Sequence, residues 1–148
     1  MTVLISGTEL AQHLQEAVAG SVDGCDEFQV WIKPEQLIGV CRFLRETANL
    51  AFDFLSSVTA VDYVEHFELV YHLTSMEFNH RTVLKARVFG RLSPEVPSIA
   101  SVWRGAELQE REIWDLMGIK FLDHPNLKRI MLWDGFPGHP HRKDHLGG

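Results

Sequence analysis

Residues 107–133 read ELQEREIWDLMGIKFLDHPNLKRIMLW, and this stretch predicts an amphipathic helix, a glycine stop, a short loop and a buried strand. Ala106, Ile113, Trp114, Leu116 and Met117 fall within one broad arc at about 100° per residue. Glu110 falls inside the same arc, so the helix carries a carboxylate on the face it buries. Removing the partner of a buried charge typically costs ~3–5 kcal/mol. The sequence therefore demands a partner for Glu110: Arg104, Arg111 or Arg129 of this chain, pairing helix to strand, or an arginine on another protein. Arg111, Asp115 and Leu108 project elsewhere. Glu107 with Arg111, and Arg111 with Asp115, sit four apart and suggest a solvated charge ladder. Glu110 and Glu112 lie about 200° apart around a helix and do not form a paired-carboxylate site.

Upstream, Ser6-Gly7-Thr8-Glu9 reads as a capping box. Leu10, Leu14, Ala17 and Val18 mark one helical face that Gly20 can end. A first strand is expected over Glu27–Ile32, with Phe28, Val30 and Ile32 on one side. Pro34 suits the first turn of a second helix, lined by Leu37, Val40, Cys41 and Leu44. Leu50, Phe52 and Phe54 alternate as a second strand. Phe67, Leu69, Tyr71 and Leu73 mark a third, and Leu84, Ala86 and Val88 a fourth, joined to the third through Asn79-His80 as a hairpin. The first strand–helix–strand unit suits a right-handed parallel crossover. Ser98 can cap a short helix carrying Ile99, Val102 and Trp103. Gly118 ends the main helix, and Ile130 with Leu132 suggests a last short strand. From Asp134 the pattern fails: DGFPGHPHRKDHLGG has no periodicity and is expected to be extended. The fold class is α+β, with helices packed on a four-stranded, largely antiparallel or mixed sheet. Residues 1–133 form one domain and residues 134–148 an extended C-terminal docking arm.

Composition narrows the function. The chain has 148 residues and a formal net charge of −6. With no basic stripe, nucleic acid is not an expected partner. No run of ~18 apolar residues predicts a membrane span, and MTVLISGTEL does not read as a secretory signal. Cys25 and Cys41 stand singly, spaced for neither an iron–sulfur cluster nor zinc, and fit a reducing compartment. No nucleophile elbow or phosphate loop is present. Trp31, Trp103, Trp114 and Trp133 read as core or interface anchors. His139, His141 and His145 crowd the tail, where HPH imitates a chelating pair. Arg142 and Lys143 stand beside them and repel a cation, so polar contacts to a partner are favoured over a metal site. His124 reads as a hydrogen-bonded loop residue. An arm of this composition has little means of folding on itself and needs another surface to order it.

The run EREIWDLMGIKFLDHPNLKRIM resembles the signature of the 30 kDa-type subunit of proton-pumping NADH:quinone oxidoreductase (respiratory complex I). Photosynthetic, F420H2-dependent and membrane-bound hydrogenase relatives carry related subunits. The matching residues are Glu110, Arg111, Glu112, Asp115, Leu116, Gly118, Ile119, Phe121, His124, Pro125, Leu127, Arg129 and Ile130. GFPGHPHRKD resembles the family's glycine-, proline- and basic-rich tail. The resemblance is close over roughly residues 103–145.

It implies a non-catalytic subunit of the peripheral arm that binds no cofactor itself, with FMN, iron–sulfur clusters and quinone held on partner subunits. It implies docking on the hydrogenase-like large (49 kDa-type) subunit beside the quinone region. It also implies contact with the iron–sulfur subunits, linkage to the membrane arm through the complex, and a peripheral place on the cytoplasmic face of the membrane. By residue-wise carry-over, Glu110, Arg111, Glu112, Asp115, His124, Arg129, Arg142, Lys143 and Asp144 matter for assembly, and Phe136 joins them as an aromatic anchor of the arm. The chain stops soon after RKD, so contacts made by longer C-terminal extensions are expected to be missing. Two alternatives stay open: the equivalent subunit of a ferredoxin-, F420H2- or hydrogen-linked machine, and a stand-alone metal-binding enzyme using the histidine-rich tail.

Overall fold

Ser6 opens the first helix: its side chain accepts the Glu9 amide at 3.2 Å, and α1 runs Gly7–Ala17. The computed structural model describes residues 2–133 and 135–145. The remaining elements are β1 (Val3–Leu4), β2 (Val22–Cys25), β3 (Val30–Ile32), α2 (Leu37–Glu46, entered through a tight turn at Pro34–Gln36) and β4 (Phe54–Asp62). After these come β5 (Phe67–Ser75), β6 (His80–Val88), β7 (Glu95–Pro97), α3 (Ala106–Met117) and β8 (Lys120–Leu122).

The main sheet runs β2-β3-β6-β5-β4, with β1 pairing β6 in parallel. It has six strands where the sequence suggested four. The two extra ones are two and four residues long, too short to show a period. β4, β5 and β6 form an antiparallel meander, while β3 joins β6 in parallel. β3 and β4 therefore run the same way, as expected for the strand–helix–strand unit. β5 and β6 pair from Phe67↔Val88 to Ser75↔His80, and Asn79 turns the chain with φ 53°.

One face of the sheet meets the helices. Val30, Ile32, Leu69, Tyr71, Leu73, Leu84 and Ala86 lie fully buried with Leu10, Leu14, Leu37 and Val40. At roughly 25 cal/mol per Å² of apolar surface removed from water, this layer supplies most of the driving force for the fold.

Several boundaries differ from expectation. β3 begins at Val30 because the Asp26 carboxylate takes the Phe28 and Gln29 amides in a side-chain turn. That leaves Phe28 exposed. Leu50 and Phe52 enter the core from a turn, with the Leu50 and Ala51 amides on the Thr47 carbonyl. The strand starts only at Phe54, which faces outward. The segment after Ser98 makes a single turn, its Val102 and Trp103 amides both on the Ile99 carbonyl. Ile99, Val102 and Trp103 are nonetheless buried, and the Trp103 indole donates to the Phe52 carbonyl at 3.0 Å.

A second, smaller unit positions the signature helix. β7 precedes α3 and β8 follows it, and the two strands pair in parallel. Gly118 ends α3 in the left-handed conformation at φ 77°. A Cβ there would also come within 2.7 Å of the His139 ring.

Candidate functional site

α3 buries two carboxylates, Glu110 and Asp115, both with no exposed surface. They lie five residues apart, about 140° around the helix, and face different surroundings.

Glu110 looks into the domain. β7 delivers Ser98 and Ile99 over it: the Ser98 hydroxyl lies 2.6 Å from Oε1, and the Ile99 amide donates to Oε2 at 3.0 Å. No arginine among the described residues reaches it, which corrects the expected ion pair. His124 Nε2 lies 3.9 Å away, but that nitrogen donates to the Glu107 carbonyl at 2.9 Å. Nδ1 of the same ring accepts the Asn126 amide. His124 thus braces the loop after β8 against the first turn of α3. Burial raises the Glu110 carboxyl to about 7, and its two donors only partly oppose that. Cys41 and Tyr71 lie close enough for its charge to raise both of their pKa values further above what burial alone does. A protonated carboxyl, able to donate to Ser98, needs no arginine.

Asp115 looks the other way, into the segment that returns after β8. Its Oδ2 accepts three consecutive amides, from Ile130, Met131 and Leu132, at 3.2, 2.7 and 2.8 Å. The Arg129 guanidinium donates to Oδ1 at 2.9 Å. Burial pushes the carboxyl up, but the Leu132, Met131 and Ile130 amides and Arg129 outweigh it and hold the group below its ordinary value. The expected solvated ladder is therefore wrong for Asp115. Its expected partner Arg111 instead donates to the Lys128 and Arg129 carbonyls. The same pinning displaces the last strand expected at Ile130 and Leu132. Their amides are turned inward to one oxygen, so no ladder forms.

The pinning has an outward consequence. With the backbone drawn to Asp115, the side chains of Ile130, Met131 and Trp133 are 41, 62 and 65% exposed. Trp133 meets Phe136 edge-on at 5.7 Å, and the Arg129 guanidinium lies over Phe136. Contiguous exposed apolar surface is a feature of protein contact sites.

The tail, between Gly135 and His145, has no helix or strand, yet it is held by this chain. His139 donates from Nδ1 to the Asp115 carbonyl and packs against Trp114. The His141 amide reaches the Leu116 carbonyl. Arg91 and Arg142 both lie over the Phe67 ring and both grip Asp144. Arg91 also forms a fork with Asp62, which takes the Lys143 amide as well. The Arg91 hydrogen bond, aided by the Lys143 and Val64 amides, holds Asp62 far below the carboxylate range despite its burial. Arg142 and Arg91 bring Asp144 to about 2. The expectation that this arm needs another surface for order is corrected for residues 135–145: Arg91, Asp62, Phe67 and the end of α3 receive them.

The sequence-derived residues therefore fall into one continuous region around α3, with three exceptions in role. Glu112 is exposed and forms no ion pair among the described residues; it lines a groove between α3 and β4 with Thr59, Gln109 and His141. The Lys143 side chain is exposed and only its backbone is used. Phe136 serves its own segment. Among the described residues, no three His, Cys, Asp or Glu side chains converge as a metal set. Sequence reasoning missed Ser98 as the Glu110 donor, the Arg91–Asp62 anchor and Met131 as a surface residue, and it left Trp133 open between core and interface, where the structure has it exposed.

The family model for the respiratory-chain NADH dehydrogenase 30 kDa subunit matches residues 30–148. The chain belongs to that family. An NADH-quinone oxidoreductase subunit of Rhizobium etli is 45% identical over 128 residues, covering 84% of this chain and 66% of the relative. The corresponding NADH-quinone oxidoreductase subunit of Roseiflexus sp. is 41% identical over 138 residues, covering 91% of this chain and 79% of the relative. Both relatives are thus longer than the matched region. A solved structure, that of the membrane-bound sulfane sulfur reductase described as an archaeal respiratory membrane complex, superposes with a TM-score of 0.75. It is 24% identical and covers 93% of this chain and 84% of its own, which establishes the fold. No described helix of this family member is long and apolar enough to cross a membrane.

Proposed function

We propose that this chain is a non-catalytic subunit of the peripheral arm of a proton-pumping NADH:quinone oxidoreductase. It docks on the hydrogenase-like large subunit beside the quinone region and helps assemble the electron-transfer arm. FMN, iron–sulfur clusters and quinone then reside on the partner subunits. The chain meets the membrane arm through the complex and sits on the cytoplasmic face. The observation that carries this reading is the outward apolar ridge of Ile130, Met131 and Trp133, fixed in place by Asp115. Asp115 fixes this segment with its apolar side chains turned outward, and an exposed apolar cluster is the kind of surface that a protein partner covers.

The chemistry around α3 supports the same reading. Asp115, Arg129, Arg142 and Asp144 are occupied by partners within the chain. Glu110 is buried against Ser98 and Ile99. These contacts fit structural roles that shape the surface.

Mass spectrometry of proteins recovered with the tagged chain from detergent-solubilised membranes tests the proposal. Recovery of a hydrogenase-like large subunit together with iron–sulfur and membrane subunits is the expected result, and the accompanying input module would name the electron donor. Recovery of the chain alone, folded and monodisperse, would overturn it.

A further inference from the structure

The helices cover one face of the main sheet, and the opposite face carries a second surface, separate from the α3 region. β4, β5 and β6 place Val61, Val70 and Val83 on this side, as the pairings Val61↔Glu68, Thr59↔Val70 and His72↔Val83 require. They floor a trough of about 350 Å³ walled by Phe28 and Tyr63. Both wall residues are about half exposed or more, at 60 and 48%. Strand residues facing water normally alternate to polar types, and a valine floor departs from that.

The charges around the trough are one-sided. Arg81 and Lys85 line it, and among the described residues no carboxylate does. Lys85 is paired with Glu68 at 3.2 Å, and Glu68 also lies near Arg87 and His66. Trp31 packs beside this cluster with Lys85 and Arg87 over its ring. Arg81 is exposed and has no ion-pair partner among the described residues. In a chain of net charge −6, this face presents an unpaired cation at the end of an apolar trough. A single unpaired guanidinium is too little for an anionic lipid surface, where each nearby cation contributes only about 1 kcal/mol. A concave trough also receives a protruding side chain better than a flat bilayer.

We propose that this sheet face docks a segment of another subunit that presents apolar side chains flanked by an aspartate or glutamate. The apolar side chains fill the valine trough between Phe28 and Tyr63, and the carboxylate pairs with Arg81. The contact is distinct from the Ile130–Trp133 ridge and stands or falls without it.

The test places the photo-crosslinking residue benzoylphenylalanine at position 83, and separately at the more exposed position 61, in the full chain within its native membranes. The expected product from both positions is a single peptide of another subunit with a carboxylate beside apolar residues. Arg81→Glu lowers that product roughly tenfold or more while the melting temperature holds, because a rim charge governs encounter and pairing. Changing the crosslinked carboxylate to lysine in the Arg81→Glu background restores it. Crosslinks only to lipid, only to a second copy of this chain, or to no peptide at all overturn the proposal. So does a product indifferent to Arg81→Glu.

Discussion

Two flanks of one helix treat a buried carboxylate in opposite ways. Glu110 and Asp115 are equally hidden from water, yet burial raises one to about 7 while the other is held below the ordinary value. Donor supply makes the difference. Glu110 meets one hydroxyl and one amide, whereas Asp115 meets three amides and a guanidinium. A carboxylate with several aligned donors keeps its charge even in a dry place. The Glu110 flank holds α3 to the domain core. The Asp115 flank holds the returning segment, and through it shapes the surface.

The largest effect is expected where charge is held by many donors. Asp115→Ala strands three amides and Arg129 and should cost ~3–5 kcal/mol in denaturant unfolding. Asp115→Asn should also destabilise, because its amide nitrogen faces donors. A loss under about 1 kcal/mol for the alanine variant would show that the segment does not depend on this carboxylate.

Glu110 gives the opposite sign. Unfolded, its carboxyl takes the ordinary 4.5; folded, it holds its proton up to about 7. The stability it contributes is complete below about pH 4.5, declines as pH rises, and is gone above about 7. The whole swing is on the order of 3 kcal/mol. Asp62, Asp115 and Asp144, all lowered, instead lose their contributions as pH falls through the acid range. The chain should therefore be most stable on the acid side of neutrality. Glu110→Gln mimics the protonated acid: its NH₂ can donate to Ser98 while its oxygen accepts Ile99. Chemical denaturation from pH 4.5 to 8 should show a flattened slope for this variant, with stability at pH 8 at or above wild type. An unchanged slope would remove Glu110 as its source.

Gly118→Ala should cost ~1–2 kcal/mol for the left-handed backbone alone, and more because the new methyl crowds His139. Pairing it with His139→Ala should recover the crowding part and leave the backbone part. The smallest stability effect belongs to the ridge. Trp133→Ala should change the unfolding free energy of the isolated chain by no more than about 0.5 kcal/mol, despite a strong effect on assembly.

Much of this was legible in the sequence. The period of apolar residues on α3, Glu110 facing inward, Gly118 as the stop, the Ser6 cap and the β5–β6 hairpin all follow from local rules. What escaped was decided by long-range competition. Arg111 and Asp115 sit four apart, which locally favours a surface pair, but backbone carbonyls and amides 15 to 18 residues away claim both side chains. Ile130 and Leu132 alternate like a strand, yet three amides on one oxygen produce the same spacing without a ladder. The tail lacks any period because side-chain forks hold it, through Arg91 and Asp62, whose loop and edge positions carried no local signal. Ser98 was readable as a capping residue. That its hydroxyl would serve Glu110, twelve residues on, depends on the β7–β8 pairing.

The central claim is that the Asp115 flank exists to present a docking ridge. Its most direct test is the double variant Met131→Glu with Trp133→Glu in the cells that make the complex. The quantities to measure are the amount of assembled complex per tagged chain and the quinone-reductase rate per assembled complex. The account predicts a folded chain that is largely lost from the complex, with a near-normal rate in whatever assembles. Normal assembly with a lost rate per complex would contradict it and place chemistry, not docking, at this surface.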